Sequence, residues 1–520
     1  VLNLRDPSRV TAVIPTAKTV NYKGRTLVAV PHGLDEVRVL RNLGLDAPAP
    51  IEHYYDWPGR FTPYLHQKIT ASFLTTNPRA YCLNGMGSGK TVSVLWAFDY
   101  LKKLGLVKRM LVVGPLSSME RAWADEVFRH FPHLNCAVLY GTRERRHKLL
   151  AQDFDIFIIN HDGAKNKETM RLLAEREGLD VIVVDEIDTA RNASTDMWKA
   201  LNVIINGSKK GDLKRKEWVW GLTGTPVPNY PTDAWAQCKL VTPGTVSPYF
   251  GGFRDRVMRQ ITQFKWVPRD NAMEVIHEVM QPAVRFARED CIDLPPTTYQ
   301  TVQVELTDEQ RKAYDEMLRQ LKTECEGGTI KAINEAVKLN KLLQICLGTA
   351  YSEDGYVSIP ARPRVELVRE LIHRAEGKVL VFAPLTGALL ALDAKAKKKT
   401  AEELRKDFSV EVVYGDVPKA KRDQIFQDFQ TSPHPRVIVA NPKTMSHSLT
   451  LTEANTIIWY GPTHSNGTYE QANARVTRPG QKRNTLIVNI EATAIERRVF
   501  QVLRDRGQMQ GLLLDMVRDA

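Results

Sequence analysis

The sequence predicts an α/β protein with two lobes, each built on a parallel β-sheet, preceded by a small N-terminal accessory domain. From about residue 79 onward, short apolar runs end in polar or glycine-rich turns, and helical patterns often follow. Strands that alternate with helices in this way are typical of parallel sheets. Runs such as VIVV at 181–184 are continuous and β-branched, as in strands buried on both faces. The adjacent prolines Pro295 and Pro296 interrupt regular structure and divide the runs into two series.

These runs locate the predicted strands and the domain boundaries. The first series covers 80–83, 110–113, 155–159, 181–184 and 218–222, and the second covers 378–382, 410–414, 436–440, 456–460 and 485–490. Residues 307–347 and the stretch from Ala494 onward have helical patterns. We therefore predict an accessory domain at 1–57, a first lobe at 58–293, and a second lobe at 294–520 with a helical insertion and C-terminal helices.

The predicted accessory domain contains a β-hairpin followed by a short helix. Residues 19–22 and 26–30 read as strands, and the Lys23-Gly24 pair between them suits a two-residue hairpin turn. A helical pattern then covers about 34–43.

Composition excludes several classes of protein. With 43% hydrophobic and 25% charged residues, the 520-residue chain is neither disordered nor fibrous. Its apolar runs fall short of the roughly 18 to 20 residues that a membrane span needs. The six cysteines are scattered singly, which argues against a structural zinc site and favours reduced thiols in the cytoplasm. Lys and Arg outnumber Asp and Glu by 72 to 60, a net charge of +12 that is compatible with a polyanionic partner.

A glycine-rich loop joins the first predicted strand to a helical run. The loop reads Asn84-Gly85-Met86-Gly87-Ser88-Gly89-Lys90-Thr91. Its glycines let backbone N–H groups turn inward around phosphate oxygens, and the helix N-terminus adds partial positive charge. We expect Lys90 to reach the β- and γ-phosphates of ATP and Thr91 to bind Mg²⁺. Asn84 stands where the general phosphate-loop pattern has its first glycine.

Two carboxylates directly follow the buried run at 181–184. Acidic residues at this position are badly placed for packing alone, but they suit metal binding by Asp185 and polarisation of the attacking water by Glu186. The pattern is weak by itself and becomes specific when it is paired with the phosphate loop.

The remaining motifs resemble those of superfamily-two helicases, and specifically the Swi/Snf family of DNA-dependent ATPases. The segments that carry the resemblance are 63–67, 111–118, 222–229, 445–451 and 471–481. The third reads LTGTPVPN, like the family's LTGTP-x-x-N turn, and the last reads QANARVTRPGQ, like its Q-x-x-x-R-x-x-R-x-G-Q motif. The resemblance covers about residues 60 to 505.

The resemblance implies two RecA-like lobes with ATP bound in the cleft between them. It assigns Gln67 to the adenine base and Gln471 to the nucleotide. Arg475 and Arg478 lie three residues apart on a predicted helix, which would put both guanidinium groups on one face. There they would neutralise charge that develops on the γ-phosphate.

A further set of residues is expected to couple ATP to DNA. Thr223 and Thr225 follow a predicted strand and would relay the state of the nucleotide. The polar and backbone groups expected to hold DNA phosphates without reading bases are at Pro115, Ser117, Asn160 and Thr444.

Two residues depart from the family pattern. Asp188 ends the second motif where His is usual, and Ser448 stands in the fifth motif where Gly is usual. The resemblance shows a compact core without a family-typical chromatin-reading domain. This favours fork-remodelling, annealing-helicase or phage branch-migration relatives over nucleosome remodellers.

The sequence thus predicts an ATP- and Mg²⁺-dependent translocase on double-stranded or branched DNA that remodels forks or junctions. Replication or recombination proteins are possible partners, and the expected location is the cytoplasm, on the nucleoid or in a phage-infected cell. Two alternatives stay open: a helicase that separates strands of DNA or RNA, and an ATP-gated clamp that binds DNA without cycling.

Overall fold

The computed structural model describes most of the chain. The described residues are 1–208, 211–228, 230–262, 265–287, 291, 295–326, 340–352, 355–385, 388, 404, 407–445, 449–463, 465–478 and 480–503. Within these ranges, no helix combines the length and the apolar character that a membrane crossing requires. The chain forms two compact units, Val1–Cys291 and a second one that begins at residue 292.

The first unit contains the predicted strands of the first series together with several others. Its strands are β1 (Lys18–Tyr22), β2 (Arg25–Ala29), β3 (Arg79–Cys82), β4 (Arg109–Gly114), β5 (Cys136–Val138), β6 (Ile156–Asn160), β7 (Leu179–Asp185), β8 (Trp218–Leu222), β9 (Met258–Thr262), β10 (Lys265–Pro268) and β11 (Ala283–Val284). Its helices are α1 (Ser8–Thr11), α2 (Leu34–Asn42), α3 (Ile51–Tyr54), α4 (Leu65–Thr76), α5 (Lys90–Lys103), α6 (Asp125–His130), α7 (Arg143–Leu150), α8 (Lys167–Glu175), α9 (Asp196–Asn206), α10 (Asp233–Val241), α11 (Phe250–Val257) and α12 (Ala272–Val279).

A parallel sheet forms the core of this unit. Within the described residues it has seven strands in the order β11-β3-β8-β7-β4-β6-β5. Every pair in it is parallel, as the alternation of strands and helices predicts. Val181, Ile182, Val183 and Val184 of β7 are all fully buried, because helices cover both faces of the sheet.

The predicted N-terminal hairpin and helix are confirmed. β1 and β2 pair antiparallel around Lys23 and Gly24, whose φ angles of +49° and +76° are those of a two-residue hairpin turn. Residues 1–57 also enter the core of the first unit, through Leu34 of α2 and Ile51 of α3. The predicted boundaries of the domains stay a prediction.

The second unit is built on another parallel sheet. Its strands are β12 (Thr297–Gln303), β13 (Thr349–Ser352), β14 (Gly355–Ser358), β15 (Lys378–Phe382), β16 (Val410–Val413), β17 (Val437–Ala440), β18 (Ala454–Trp459) and β19 (Thr485–Glu491). Its helices are α13 (Asp308–Glu326), α14 (Arg362–Arg374), α15 (Lys419–Thr431) and α16 (Asn466–Asn473), and residues 340–346 and 494–503 are also helical. The sheet order in the described part is β12-β19-β18-β15-β17-β16, again entirely parallel.

Strand β12 has no counterpart among the strands predicted from sequence. Its residues TTYQTVQ are polar and largely exposed, so they lack the apolar run that marks a buried strand. It forms because it adds to the edge of the sheet, pairing in register with β19 from Thr297 opposite Thr485 to Gln303 opposite Glu491.

A buried ion pair joins several elements of the second unit. Arg364 of α14 is 2% exposed, and its guanidinium lies 2.8 Å from Glu496, which is fully buried. Arg364 also donates to the carbonyl oxygen of Tyr460 at 2.5 Å, and Glu496 accepts from the backbone N–H of Ala492 at 2.7 Å. The pair therefore joins α14 to the residues that directly follow β18 and β19 and to the helix at 494–503.

We predict that Arg364→Ala lowers the free energy of unfolding of the second unit by about 3–5 kcal/mol, because the Glu496 carboxylate is left buried without its cation. Urea denaturation followed by hydrogen-exchange mass spectrometry on peptides from β15 measures this change. The matched control is Arg362→Ala, which breaks an exposed ion pair with Glu366 on the same helix and should cost about 0–1 kcal/mol. Equal losses in the two variants would contradict the prediction.

Candidate functional site

The glycine-rich loop adopts the geometry that phosphate binding requires. It leaves β3 after Cys82, and α5 begins at Lys90. Gly87 and Gly89 have φ angles of +81° and +79°, a region in which side chains are strained. Thr91 lies in the first turn of α5, where backbone N–H groups have no partner within the helix. The loop and the helix N-terminus together give this region a positively polarised backbone.

Two side chains in the loop fit a triphosphate. The Lys90 ammonium donates to the carbonyl oxygens of Asn84 at 2.9 Å and Gly85 at 3.3 Å, and so lies within the curve of the loop. Ser88 is 2% exposed, and among the described residues its hydroxyl has no hydrogen-bond partner. A buried hydroxyl in that state costs about 1–3 kcal/mol, a penalty that a phosphate oxygen would remove.

The structure gives Asn84 a role that the sequence did not reveal. Its side-chain amide donates to the Thr70 hydroxyl on α4 at 2.8 Å, and its oxygen accepts from the Phe286 N–H, just after β11, at 2.9 Å. Asn84 is 1% exposed, and its φ angle is not positive, so a side chain fits where the general pattern has glycine. Asn84 thus fastens the loop to α4 and to the edge strand of the sheet.

The start of α4 lies against the phosphate loop. The Gln67 amide nitrogen is 3.4 Å from the Ser88 carbonyl oxygen, while its side-chain oxygen accepts from the Tyr64 N–H at 3.1 Å. The His66 ring nitrogen is 2.9 Å from the same Ser88 oxygen, and burial lowers the pKa of His66. A Cβ at Gly89 would overlap the Gln67 amide, so glycine is also required there for this close approach. These contacts bring Gln67 to the loop, and its contact with adenine stays a prediction.

The predicted carboxylates lie where β7 ends. Asp185 accepts from the Trp123 indole N–H at 3.0 Å and from the Glu186 N–H at 3.2 Å. Glu186 has a φ of +51° and a ψ of +57°, a left-handed conformation that is uncommon for residues other than glycine. The strained turn re-directs the chain directly after the strand. The Asp185 carboxylate and the Thr91 hydroxyl are oxygen ligands of the kind that Mg²⁺ prefers, so they fit the ion assigned to them.

Register places Thr223 between the phosphate loop and the carboxylates. Leu222, the last residue of β8, pairs with Cys82 of β3 on one side and with Asp185 of β7 on the other. The Thr223 hydroxyl donates to Asp188 at 3.1 Å and lies 3.5 Å from Glu186.

The LTGTP turn is held in contact with these acidic side chains. The Thr225 N–H donates to the Thr223 hydroxyl at 3.0 Å, and the buried Gln237 of α10 donates to the Pro226 carbonyl oxygen at 2.7 Å. Burial, with the neighbouring Glu186 charge, raises the pKa of Asp188 to about 7. Asp188, which departs from the family pattern, therefore links the carboxylate segment to this turn.

The other expected coupling residues lie at strand ends, as predicted. Pro115 and Ser117 follow β4, Asn160 ends β6, and Thr444 follows β17 in the second unit. Asn160 accepts from the Gly163 N–H at 3.2 Å and Thr444 donates to the Asn441 carbonyl oxygen at 2.7 Å, so both also shape their own turns. Their contacts with DNA stay a prediction, and Asn229 and residues 446–448 of the predicted motifs lie outside the described residues.

The placement of the two arginines on a helix is wrong. α16 contains Gln471 but ends at Asn473, so Arg475 and Arg478 lie on the turn that follows it. The helix stops because the turn is held by its neighbours: the Arg475 carbonyl oxygen accepts from the Leu451 N–H at 2.9 Å. Arg475 is 4% exposed, and the Arg478 guanidinium donates to the Leu449 carbonyl oxygen at 2.5 Å.

The last residue of this motif has a structural role. The buried Gln481 donates to the carbonyl oxygens of Thr452 at 3.1 Å and Ala454 at 2.7 Å, and accepts from the Arg483 N–H at 3.0 Å. It fixes the end of the arginine-bearing turn against the start of β18. Pro479 of the same motif lies outside the described residues.

Comparison with known families finds matches in both units. A model of the SNF2-related domain matches residues 81–349, which is more than half of the chain. The chain belongs to the SNF2-related family. A model of the helicase conserved C-terminal domain matches residues 363–480 of this SNF2-related protein. The predictions of a Swi/Snf-type relative, of two α/β lobes and of an ATP-hydrolysing helicase-class enzyme are confirmed at the level of the family.

Individual relatives are distant. Protein p41 of Acyrthosiphon pisum secondary endosymbiont phage 1 is 24% identical over 478 residues, which cover 88% of this chain and 98% of p41. The uncharacterized ATP-dependent helicase MG018 of Mycoplasma genitalium is 22% identical over 82% of this chain, and the yeast (Saccharomyces cerevisiae) ISWI chromatin-remodeling complex ATPase ISW1 is 21% identical over 88% of it. This chain spans 39% of MG018 and 41% of ISW1. A solved Sulfolobus solfataricus SWI2/SNF2 ATPase core in complex with dsDNA has 23% identity over 88% of this chain and 94% of that one, with a TM-score of 0.41.

We predict that Lys90→Ala removes most ATPase activity while DNA binding and the fold are kept, because Lys90 is expected to act as a charge on phosphate and its contacts in the structure are to carbonyls of its own loop. Steady-state ATP hydrolysis with saturating duplex DNA measures the loss, and circular dichroism checks the fold. Lys103→Ala, which removes a lysine from the other end of α5, is the control and should hydrolyse ATP like the unmodified protein. Turnover of Lys90→Ala within a few-fold of the unmodified protein would refute the assignment.

Arg478→Ala should lower turnover by about 10³–10⁵-fold and nucleotide affinity far less, because a cation on the transferred phosphoryl group acts mainly in the transition state. Turnover is compared with equilibrium binding of a fluorescent ATP analogue. Arg483→Ala, which replaces an arginine five residues further along, is expected to keep its turnover within a few-fold. If Arg478→Ala lost affinity alone, Arg478 would be a ground-state ligand.

Proposed function

We propose that this SNF2-related protein is an ATP-driven translocase on double-stranded DNA that remodels forks or junctions, alongside proteins of replication or recombination. The observation that carries the proposal is the hydrogen bond from Thr223 to Asp188, 3.1 Å long, beside Glu186. It connects the LTGTP turn directly with the acidic segment that would meet the attacking water. A change in the nucleotide could therefore move this turn, which is what a motor needs and a static binding protein does not.

Each residue of the proposed site would have its own role in ATP hydrolysis. Lys90 and the loop N–H groups would hold the phosphates, and Thr91 with Asp185 would hold Mg²⁺, which neutralises phosphate charge when bound. Glu186 would orient the attacking water and take its proton. Arg475 and Arg478 would neutralise charge on the transferred phosphoryl group.

Side chains of a kind that can bind phosphate without reading bases support the proposal of translocation along DNA. The polar groups at the strand ends include the Ser117 hydroxyl and the Asn160 amide, which could bind phosphate oxygens of any sequence. The Thr444 hydroxyl would do so after releasing the Asn441 carbonyl oxygen. The ends of parallel strands in each unit supply them on one edge of its sheet. Movement along a duplex requires sites of this kind, because contacts to base edges would stop the motor at particular sequences.

The choice of forks or junctions is supported by what accompanies the family domains. The matches at 81–349 and 363–480 account for most of the chain. The β1–β2 hairpin and helices α1 to α3 precede these matches in the sequence. The half of the hairpin nearest its turn is basic and exposed. Such an addition suits recognition of DNA structure better than recognition of a chromatin protein.

Triplex displacement is the direct test of movement. With ATP, the protein should displace a third strand from duplex DNA and release little strand from a blunt duplex, because a backbone-tracking motor need not separate strands. Glu186→Gln, which keeps the shape of the side chain and removes its charge, should bind the triplex substrate and displace nothing. Efficient unwinding of the blunt duplex, or activity on RNA alone, would favour a strand-separating helicase, and ATP-dependent binding with neither hydrolysis nor displacement would favour a clamp.

A further inference from the structure

The β1–β2 hairpin stands out from the first unit. Every residue of β1 (Lys18–Tyr22) is exposed, as are Arg25 and Thr26 at the start of β2. The base is anchored, because Val28 is fully buried in a small core with Val10 and is bridged to Leu2. The half of the hairpin nearest the turn therefore extends into solvent.

Packing alone does not account for this defined shape. An isolated two-stranded hairpin is marginally stable in water at best. Lys23 nevertheless adopts a left-handed φ of +49° in the turn, a conformation that costs a non-glycine residue about 1–2 kcal/mol. Across the strands, the Thr26 hydroxyl donates to the Asn21 side chain at 3.1 Å. The hairpin is thus kept in register by its turn and by local hydrogen bonds while its side chains stay available to a ligand.

One face of the hairpin combines an aromatic ring with cations. Alternation along β1 puts Lys18, Val20 and Tyr22 on the same face, and Arg25 lies directly opposite Tyr22. Tyr22 is 59% exposed, and the Lys23 ammonium lies 5.3 Å from the centre of its ring. Exposed aromatic rings beside Lys and Arg are the groups with which proteins hold unpaired nucleotides: the ring stacks on a base and the cations contact phosphates.

The charge of the whole segment points to a polyanion. From residue 7 to residue 34 the sequence contains no Asp or Glu, and it contains Arg9, Lys18, Lys23 and Arg25. A strand of another protein could in principle pair with the outer edge of β1. Lys18 on this edge strand opposes such pairing, because a partner strand would be brought against its charge. The charges therefore favour nucleic acid over a protein strand as the occupant.

We infer that the face of the β1–β2 hairpin formed by Lys18, Tyr22, Lys23 and Arg25 is a second DNA-binding site, for the unpaired nucleotides at a fork or junction. The inference rests on the proposed function and names the feature of the DNA that directs the motor. Inside a duplex, neighbouring bases cover each base face, so Tyr22 has nothing to stack on there. At a branch point a base face is open, and the cations can contact the phosphates on either side of it.

Binding of fluorescent DNA without ATP tests the site. Full-length protein is titrated with a blunt duplex and with a fork that has two unpaired arms, at several salt concentrations. Tyr22→Ala should weaken fork binding by about 5- to 150-fold, the range for loss of one stacked base, and blunt-duplex binding by less than about two-fold. Tyr22→Phe keeps the ring and should keep the fork preference, and Tyr249→Ala removes another strongly exposed tyrosine (81%) as the matched control.

The cations are tested by salt dependence. Replacing Lys18, Lys23 and Arg25 together by alanine should reduce the slope of log affinity against log salt on the fork by about 2, since each phosphate contact on a single strand contributes about 0.7. All these side chains are exposed, so thermal melting should show little change in stability.

Several outcomes would overturn the inference. They are an unchanged fork preference in Tyr22→Ala, an equal loss on the blunt duplex, an equal loss in Tyr249→Ala, or tighter binding of single-stranded RNA than of the fork. Failure of the motor proposal is seen separately, as absence of duplex-stimulated ATPase in the unmodified protein. A protein that moves on duplex DNA without preferring forks would retain the motor assignment and lose the hairpin assignment.

Discussion

Burial of the parallel sheet on both faces is the constraint on which the candidate site depends. Side chains within strands such as β7 are enclosed by apolar neighbours, so polar side chains that bind a ligand can be accommodated only where the strands end. Because all the strands run the same way, their carboxyl ends meet at one edge. The order β3-β8-β7 then decides which ends are adjacent. The phosphate loop follows β3, the LTGTP turn follows β8, and the two carboxylates lie at the end of β7. Thr223 of the LTGTP turn therefore lies between the phosphate loop and the carboxylates.

Tertiary hydrogen bonds hold the phosphate loop at that edge. Asn84 ties the loop to α4 and to the residue after β11, while Gln67 and His66 approach the Ser88 carbonyl from α4. A displacement of α4 would therefore displace the loop through these hydrogen bonds, and a displacement of the loop would likewise displace α4. Since α4 also carries the residue assigned to adenine, the same contacts would let base binding support phosphate binding.

In the second unit, buried polar side chains hold loops in place. The ion pair between Arg364 and Glu496 and the hydrogen bonds of Gln481 hold the loops around β18 and β19 in place. The arginine-bearing turn is held by the hydrogen bonds of Gln481 and by the Leu451 N–H. A turn that is held from both sides can present guanidinium groups in a fixed direction, which a frayed helix end could not do.

By itself, the sequence determined the alternation of strands and helices, the hairpin, and the residue types that carry phosphate chemistry. These features depend on patterns of a few adjacent residues: apolar runs, left-handed glycines, and carboxylates placed directly after a strand. Only the tertiary structure decided the polar edge strand β12, the contact between Thr223 and Asp188, the role of Asn84 and the end of α16 before Arg475. Each of these depends on a partner far away in the sequence, such as β19 for β12 or Phe286 for Asn84. Local pattern and propensity carry no information about such partners, because they become neighbours only when the chain packs.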